Sequence, residues 1–125
     1  MAFTGTDVIT NRARFILADT VIATYRWTDA ILLVWLNEGS RLIAEKRPES
    51  LLTAPYTQTT YADIAAIGNT VLLPDKYRDA LVDYVCYRAF EQDSQDERDL
   101  ARAKAHRDGF VRKAGLTSVM NGGAG

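Results

Sequence analysis

One strongly apolar segment, residues 29–47, constrains the fold of this chain more than any other. Thr28 is suited to cap the start of a helix there, and Pro48 prevents the helix from continuing. Its apolar residues recur at steps of three, four and seven, which indicates a helix, and they cover more than one face. These residues are Ile31, Leu32, Leu33, Val34, Trp35, Leu36, Leu42 and Ile43. We therefore expect this helix to be buried on several sides, at the centre of the fold or of an interface.

Gly39 lies in the middle of this helical pattern. A glycine inside a helix costs about 1 kcal/mol relative to alanine, so its presence calls for a packing reason. The position predicts a close helix crossing or a contact with another subunit.

Three further segments have helical patterns with start and stop signals. They span residues 7–19, 76–92 and 96–114. The first has an apolar face made of Ile9, Ala13, Ile16 and Leu17. Arg12 and Arg14 are expected to point away from that face. Asp75 is expected to cap the third helix, and Gly115 to end the fourth.

These patterns predict an all-α fold, a four-helix antiparallel bundle with a long, partly extended loop between the second and third helices. One helical domain, residues 1–115, would be followed by a flexible C-terminal tail, residues 116–125. A length of 125 residues fits one domain. The expected core consists of Trp35, Leu36, Leu42, Ile43, Leu81, Val85 and Phe110.

The loop over residues 51–73 is rich in threonine, and Asp63 is its only charged residue. Long loops in compact domains are usually functional. We expect short extended pieces near residues 57–61 and 70–73, with a turn at residues 68–69 between them. The residues assigned to an inter-subunit contact or a channel wall are Tyr56, Tyr61, Asp63 and Asn69.

The tail offers little apolar surface of its own. Ordering its backbone would cost about 1–2 kcal/mol per residue, which a partner groove would have to offset. Leu116, Val119 and Met120 are the natural anchors for such a groove.

The charges argue against direct affinity for nucleic acid. The net charge is −1, and no stretch of the sequence has the basic excess that a phosphate-binding surface needs. Cys86 is the only cysteine, which favours a reducing compartment. The first residues do not resemble a signal peptide, and no apolar run is long enough to cross a bilayer. We expect a soluble intracellular protein.

Residues suited to catalysis are sparse. His106 is the only histidine, and we interpret it as a surface or interface residue rather than a base or a ligand. Asp75, Asp79 and Asp83 recur at every fourth residue; a solvated helix face is favoured over a metal site. No enzymatic activity, cofactor or metal is expected.

Two blocks of sequence resemble a known family. RWTDAILLVWLNEGSRLIAEKRPES is similar to the opening signature of the tailed-bacteriophage head-to-tail connector (adaptor) proteins, which are encoded near the portal. LLPDKYRDALVDYVCYRAFEQDSQD, followed by ARAKAHRDGF, resembles the closing helix pair of that family. The blocks cover most of residues 12–47 and 72–110. The segment between them is shorter here than the β-rich insertion of several members.

The resemblance implies a structural subunit of the virion neck, made in the host cytoplasm. Such subunits form a twelvefold ring below the portal protein, extend the DNA channel and offer a landing surface to a tail or neck protein. DNA would pass without specific binding, and the tail anchors would dock on the portal. The alternative is a small DNA-binding packaging protein like a terminase small subunit, which would need a basic recognition helix.

Overall fold

The computed structural model shows a predominantly helical chain, which confirms the all-α class. It describes residues 3–19, 26–53, 57–58, 60–92 and 97–116. The first helix, α1, is continuous over residues 5–16 and consists of Gly5–Val8, a π-helical segment Ile9–Ala13, and Arg14–Ile16. The other long helices are α2 (Asp29–Lys46), α3 (Arg78–Gln92) and α4 (Glu97–Lys113).

The start of α2 follows the sequence signals closely. The Thr28 hydroxyl accepts a hydrogen bond from the backbone N–H of Ile31 at 3.2 Å, as an N-cap does. Trp27, just before the cap, and Leu32 are both buried in the core. Because these signals act locally, the predicted bounds of α2 agree with the observed ones to within one residue.

Of the two places expected for α2, the centre of the fold is occupied by α3 instead, and the centre of an interface stays a prediction. α1, α2 and α4 all pack against α3, and every residue from Ala80 to Cys86 is buried. On α2, by contrast, Ile31 and Val34 are 42% and 56% exposed. Some of the apolar side chains of α2 therefore lie on the surface of this chain.

α3 and α4 lie antiparallel. The ring of Tyr84 meets that of Phe110 at 4.8 Å between centroids, and Phe90 stacks on His106 at 5.6 Å. Six of the seven residues expected in the core are buried: Trp35, Leu36, Ile43, Leu81, Val85 and Phe110. Leu42 is only partly buried at the edge of this core.

The connection from α2 to α3 contains 3₁₀ turns at Pro48–Leu51 and Asp75–Tyr77, and two short strands. The strands β1 (Leu52–Thr53) and β2 (Thr57–Gln58) are antiparallel, with Thr53 opposite Thr57. Thr70, in the second of the two expected extended pieces, forms a β-bridge with Thr4 and not with residues 57–61. The expected Asp75 cap is wrong: Pro74 occupies the N-cap position, and no side chain bonds there.

α1 departs from its predicted register. It begins at Gly5 because Thr4 and Asp7 form a capping box. The π-helical segment adds a residue to one turn, which rotates the residues after it around the helix axis. Ile16 is therefore 45% exposed, and Arg14 is only 1% exposed. The prediction that Arg14 points away from the core is wrong.

Arg14 ties the end of α1 to the start of α2. Its Nη1 lies 2.9 Å from Oδ2 of Asp19, and its Nη2 lies 2.6 Å from Oδ1 of Asp29. Asp19 also accepts hydrogen bonds from the backbone N–H groups of Arg26 at 2.8 Å and Trp27 at 3.2 Å. A buried charge is tolerated only when it is paired and hydrogen-bonded, and both conditions are met here.

Gly39 marks the place where α2 crosses α3. A Cβ atom added there would lie 2.9 Å from the Tyr84 ring and 3.2 Å from Leu81. The close approach therefore needs a residue without a side chain.

Gly39→Ala should lower the free energy of unfolding by about 1–2 kcal/mol, because overpacking the crossing outweighs the better helix propensity of alanine. Denaturant unfolding would measure the change. Gly68→Ala is the matched control, since nothing lies within 4 Å of its added Cβ. A Gly39→Ala variant as stable as the wild type would show that the crossing is not tight.

Candidate interaction surfaces

Asn37 fixes the first half of the long loop to α2. Its side-chain N–H donates to the carbonyl oxygen of Ile64 at 3.0 Å, and its side-chain oxygen accepts from the Ile64 N–H at 3.1 Å. Ile64 is itself buried. The loop is thus held at this point by both of its backbone groups.

Two of the predicted loop residues contact α2 of the same chain. The Tyr61 hydroxyl donates to the carbonyl of Asn37 at 3.4 Å, and Asp63 lies 2.5 Å from Arg41. Burial, together with the nearby charge of Asp63, raises the pKa of Tyr61, so the phenol stays neutral. The Arg41–Asp63 pair is largely exposed and contributes little to stability.

The N-terminal residues fix the second half of the loop. The Val71 N–H donates to the Phe3 carbonyl at 2.9 Å, and the Thr6 N–H to the Ile67 carbonyl at 2.7 Å. Asn69 accepts from the Gly5 N–H at 3.2 Å through its backbone oxygen, while its side chain is exposed. Tyr56, the remaining loop residue of the prediction, lies outside the described residues.

Leu116 does not extend from the fold as a tail anchor. It is fully buried, and its N–H donates to the Val111 carbonyl at 2.8 Å. Gly115, with φ of +72°, donates to the Arg112 carbonyl at 3.1 Å. These two bonds form a Schellman motif, in which an apolar residue after the glycine packs back on the helix. The other two predicted anchors, Val119 and Met120, lie outside the described residues.

Leu116 therefore belongs to the domain, and the predicted boundary after residue 115 moves beyond it. The signal was present in the sequence, because a glycine expected to end a helix was followed directly by an apolar residue. Arg47 secures this end of the chain by donating from its guanidinium to the Gly115 carbonyl.

Leu116→Ala should lower the free energy of unfolding by about 2–5 kcal/mol, as for other buried leucines. Leu100→Ala removes the same atoms from a side chain that is 54% exposed, and it should change stability by less than about 0.5 kcal/mol. Thermal and denaturant unfolding of both variants would compare the two positions. Equal effects would place Leu116 outside the core.

Asp83 is the buried centre of a polar cluster between α3 and α4. Its Oδ1 lies 2.8 Å from Nδ1 of His106, and its Oδ2 lies 2.7 Å from Nζ of Lys113. A Cβ at Gly109 would lie 2.7 Å from the carboxylate, so the glycine makes room for it. Sequence spacing placed Asp83 on a solvated face and gave no indication that α4 supplies both partners.

Asp83 carries a negative charge despite its burial. Burial alone would raise its pKa, but the hydrogen bond from His106 and the charge of Lys113 outweigh this effect, and the pKa is lowered. A carboxyl whose pKa is lowered by folding stabilises the fold above its unfolded pKa. That stabilisation is lost as the pH falls through the folded pKa.

Asp83→Asn should therefore cost about 1–3 kcal/mol near neutral pH, because it removes the charge that pairs with Lys113. The difference from the wild type should shrink as the pH falls below the unfolded pKa of about 4 and through the lowered folded pKa, where the wild-type carboxyl also becomes neutral. Urea unfolding across this range would measure it. A difference that stays constant with pH would exclude the ion pair as its source.

The described residues contain no group of three or more histidine, cysteine or acidic side chains placed to hold a metal ion. Cys86 is buried on α3, and burial raises the pKa of its thiol to about 12. A neutral, enclosed thiol is a poor nucleophile. Within the same part of the chain, no helix is both long and apolar enough to span a membrane.

Several large apolar side chains remain on the surface of the described residues. Phe15 and Ile16, at the end of α1, are 69% and 45% exposed. The others are Ile31, Val34, Leu72 and Leu100. Single exposed apolar residues are normal, and a contact surface requires a contiguous patch.

No protein-family model, curated protein or solved structure matches this chain. The two sequence blocks that resemble the connector proteins therefore stand as a hypothesis. The functional interpretation depends on those blocks and on the geometry described above.

Proposed function

We propose that this chain is a structural head-to-tail connector subunit of a tailed bacteriophage. Several copies would form a ring below the portal protein, extend the DNA channel and present a surface to a tail or neck protein. The helices would act as a compact bundle that serves as a building block, with no catalytic role.

The observation that carries the proposal is where the two resembling blocks lie in the fold. The first block, residues 26–50, contains all of α2, and the second, residues 72–96 with 101–110, contains α3 and most of α4. The blocks meet at the Gly39 crossing and at an ion pair between Glu38 and Arg88, with 2.6 Å between Oε1 and Nη1. The resemblance therefore covers the packed body of the protein and not a peripheral segment.

A ring requires two different faces on each subunit, since its contacts are heterologous. In this proposal, α1 and α2 with their exposed apolar residues would form one such face, and the exposed side of the loop at residues 60–73 would form the other. The loop is held by its own chain on one side, so it can meet a neighbour without refolding. Val119 and Met120 stay as the proposed anchors on the portal, whereas Leu116 is excluded by its burial.

Mass measurement of the purified protein, alone and mixed with the portal protein of the same phage, tests the proposal. We expect a defined complex in which many copies decorate one portal ring. No association at any mixing ratio would refute the connector function. Tight, sequence-specific binding to duplex DNA would support the packaging-protein alternative.

A truncation after Leu116 tests the tail. It should preserve the melting temperature, because Leu116 and the Schellman motif remain, and it should abolish association with the portal. Val119→Ser combined with Met120→Ser should have the same effect in the full chain if these two residues are the anchors. Full assembly of both variants would assign the portal contact to the helices and the loop.

A further inference from the structure

Four basic side chains from three separate parts of the chain converge on one cleft. The cleft encloses about 340 Å³ beside the end of α4. Its basic residues are Arg47, Lys76, Arg112 and Lys113, and Glu49 is the only acidic residue in its lining. No stretch of the sequence is strongly basic, so folding creates this concentration of charge.

Two of these cations are already engaged. Arg47 donates to the Gly115 carbonyl and lies 3.5 Å from Glu49, and Lys113 pairs with Asp83 at 2.7 Å. Arg47 and Lys113 therefore help to form the walls of the cleft, and their charges are largely neutralised by these contacts. Both also lie at helix ends, where a positive charge offsets the partial negative charge of the terminal carbonyl groups.

The other two cations are available. Lys76 and Arg112 are exposed, and neither forms an ion pair with any residue in the described part of the chain. The Lys76 ammonium lies 5.2 Å from the centre of the Tyr77 ring, and that contact leaves its charge uncompensated. Two like charges that share a cleft repel each other, and a cleft walled by protein strengthens their field toward an anion.

We propose that this cleft binds an acidic peptide segment of a partner protein, whose carboxylates pair with Lys76 and Arg112. A volume of about 340 Å³ lies at the lower end of the range for ligand pockets, which suits one or two acidic side chains. Arg112 offers a fork of N–H donors that matches a carboxylate, and Lys76 offers a point charge. This inference uses only the cleft and does not depend on the connector proposal.

A nucleic-acid backbone fits the cleft less well than a peptide. DNA requires cations spread along the path of successive phosphates, whereas these cations converge on one small volume. Glu49 lines the cleft, and Asp75 adjoins Lys76 in the chain, so an extended polyanion would also meet negative charges. A short acidic segment would meet only Glu49, whose charge is partly offset by Arg47 at 3.5 Å.

Titration of the full chain with hexaglutamate at about 0.15 M salt, where the Debye length is about 8 Å, followed by NMR, tests the proposal. Gly115 lines the cleft, so its amide signal serves as a local probe, and we expect that signal to shift as the peptide binds. The Lys76→Gln, Arg112→Gln double variant should bind roughly tenfold more weakly, since it loses two charge contacts. The charge-preserving Lys76→Arg, Arg112→Lys variant should bind about as well as the wild type.

Lys104→Gln combined with Arg107→Gln is the matched control, because it removes the same charge from α4 outside the cleft. Its affinity should stay within about twofold of the wild type, since exposed charges outside the contact are largely screened. Equal weakening in this control, or equal binding of hexaglutamine, would refute a specific site. Tighter binding of a short DNA duplex through Lys76 and Arg112 would reassign the cleft to nucleic acid.

Discussion

The Tyr84 side chain joins three helices, and the arrangement of the domain depends on it. From α3, its ring packs on Phe110 of α4 and fills the space that Gly39 leaves open on α2. Its hydroxyl lies 3.4 Å from a carboxylate oxygen of Glu38, which in turn pairs with Arg88. An aromatic ring with a polar tip can be largely buried in this way while its hydroxyl keeps a partner at the edge of the core.

Local chemistry made much of the fold predictable from the sequence. The cap at Thr28, the stop at Pro48 and the glycine after α4 act over one helical turn, so the bounds of the long helices came out close to those observed. The inward rotation of Arg14 was not predictable, because the π-helical segment has no clear sequence signature and shifts the helical period. The central position of α3 also escaped prediction, since periodicity shows which residues are apolar and not which helix is surrounded.

The polar clusters could not be predicted for a related reason. Asp83 meets residues 23 and 30 positions away on α4, and Lys76 and Arg112 reach one cleft from separate segments. A count of charges along the chain shows that positive and negative residues are balanced, but it does not show which of them meet in the folded structure. Of the residues assigned to external contacts, Tyr61 and Asp63 face α2 and Leu116 faces the core. The side chain of Asn69 is exposed, and its assignment to an inter-subunit contact or a channel wall stays a prediction.

The extra residue in α1 has a consequence for how this sequence can vary. Deleting one residue between Ile9 and Ala13 would turn the π-helical segment into an ordinary helix and would shorten no loop. It would nevertheless rotate Arg14 toward solvent and leave Asp19, which is 7% exposed, without its counter-ion. The extra residue and the buried Arg14 thus depend on each other. We expect that a related sequence without the extra residue would also have other residues in place of Arg14 and Asp19.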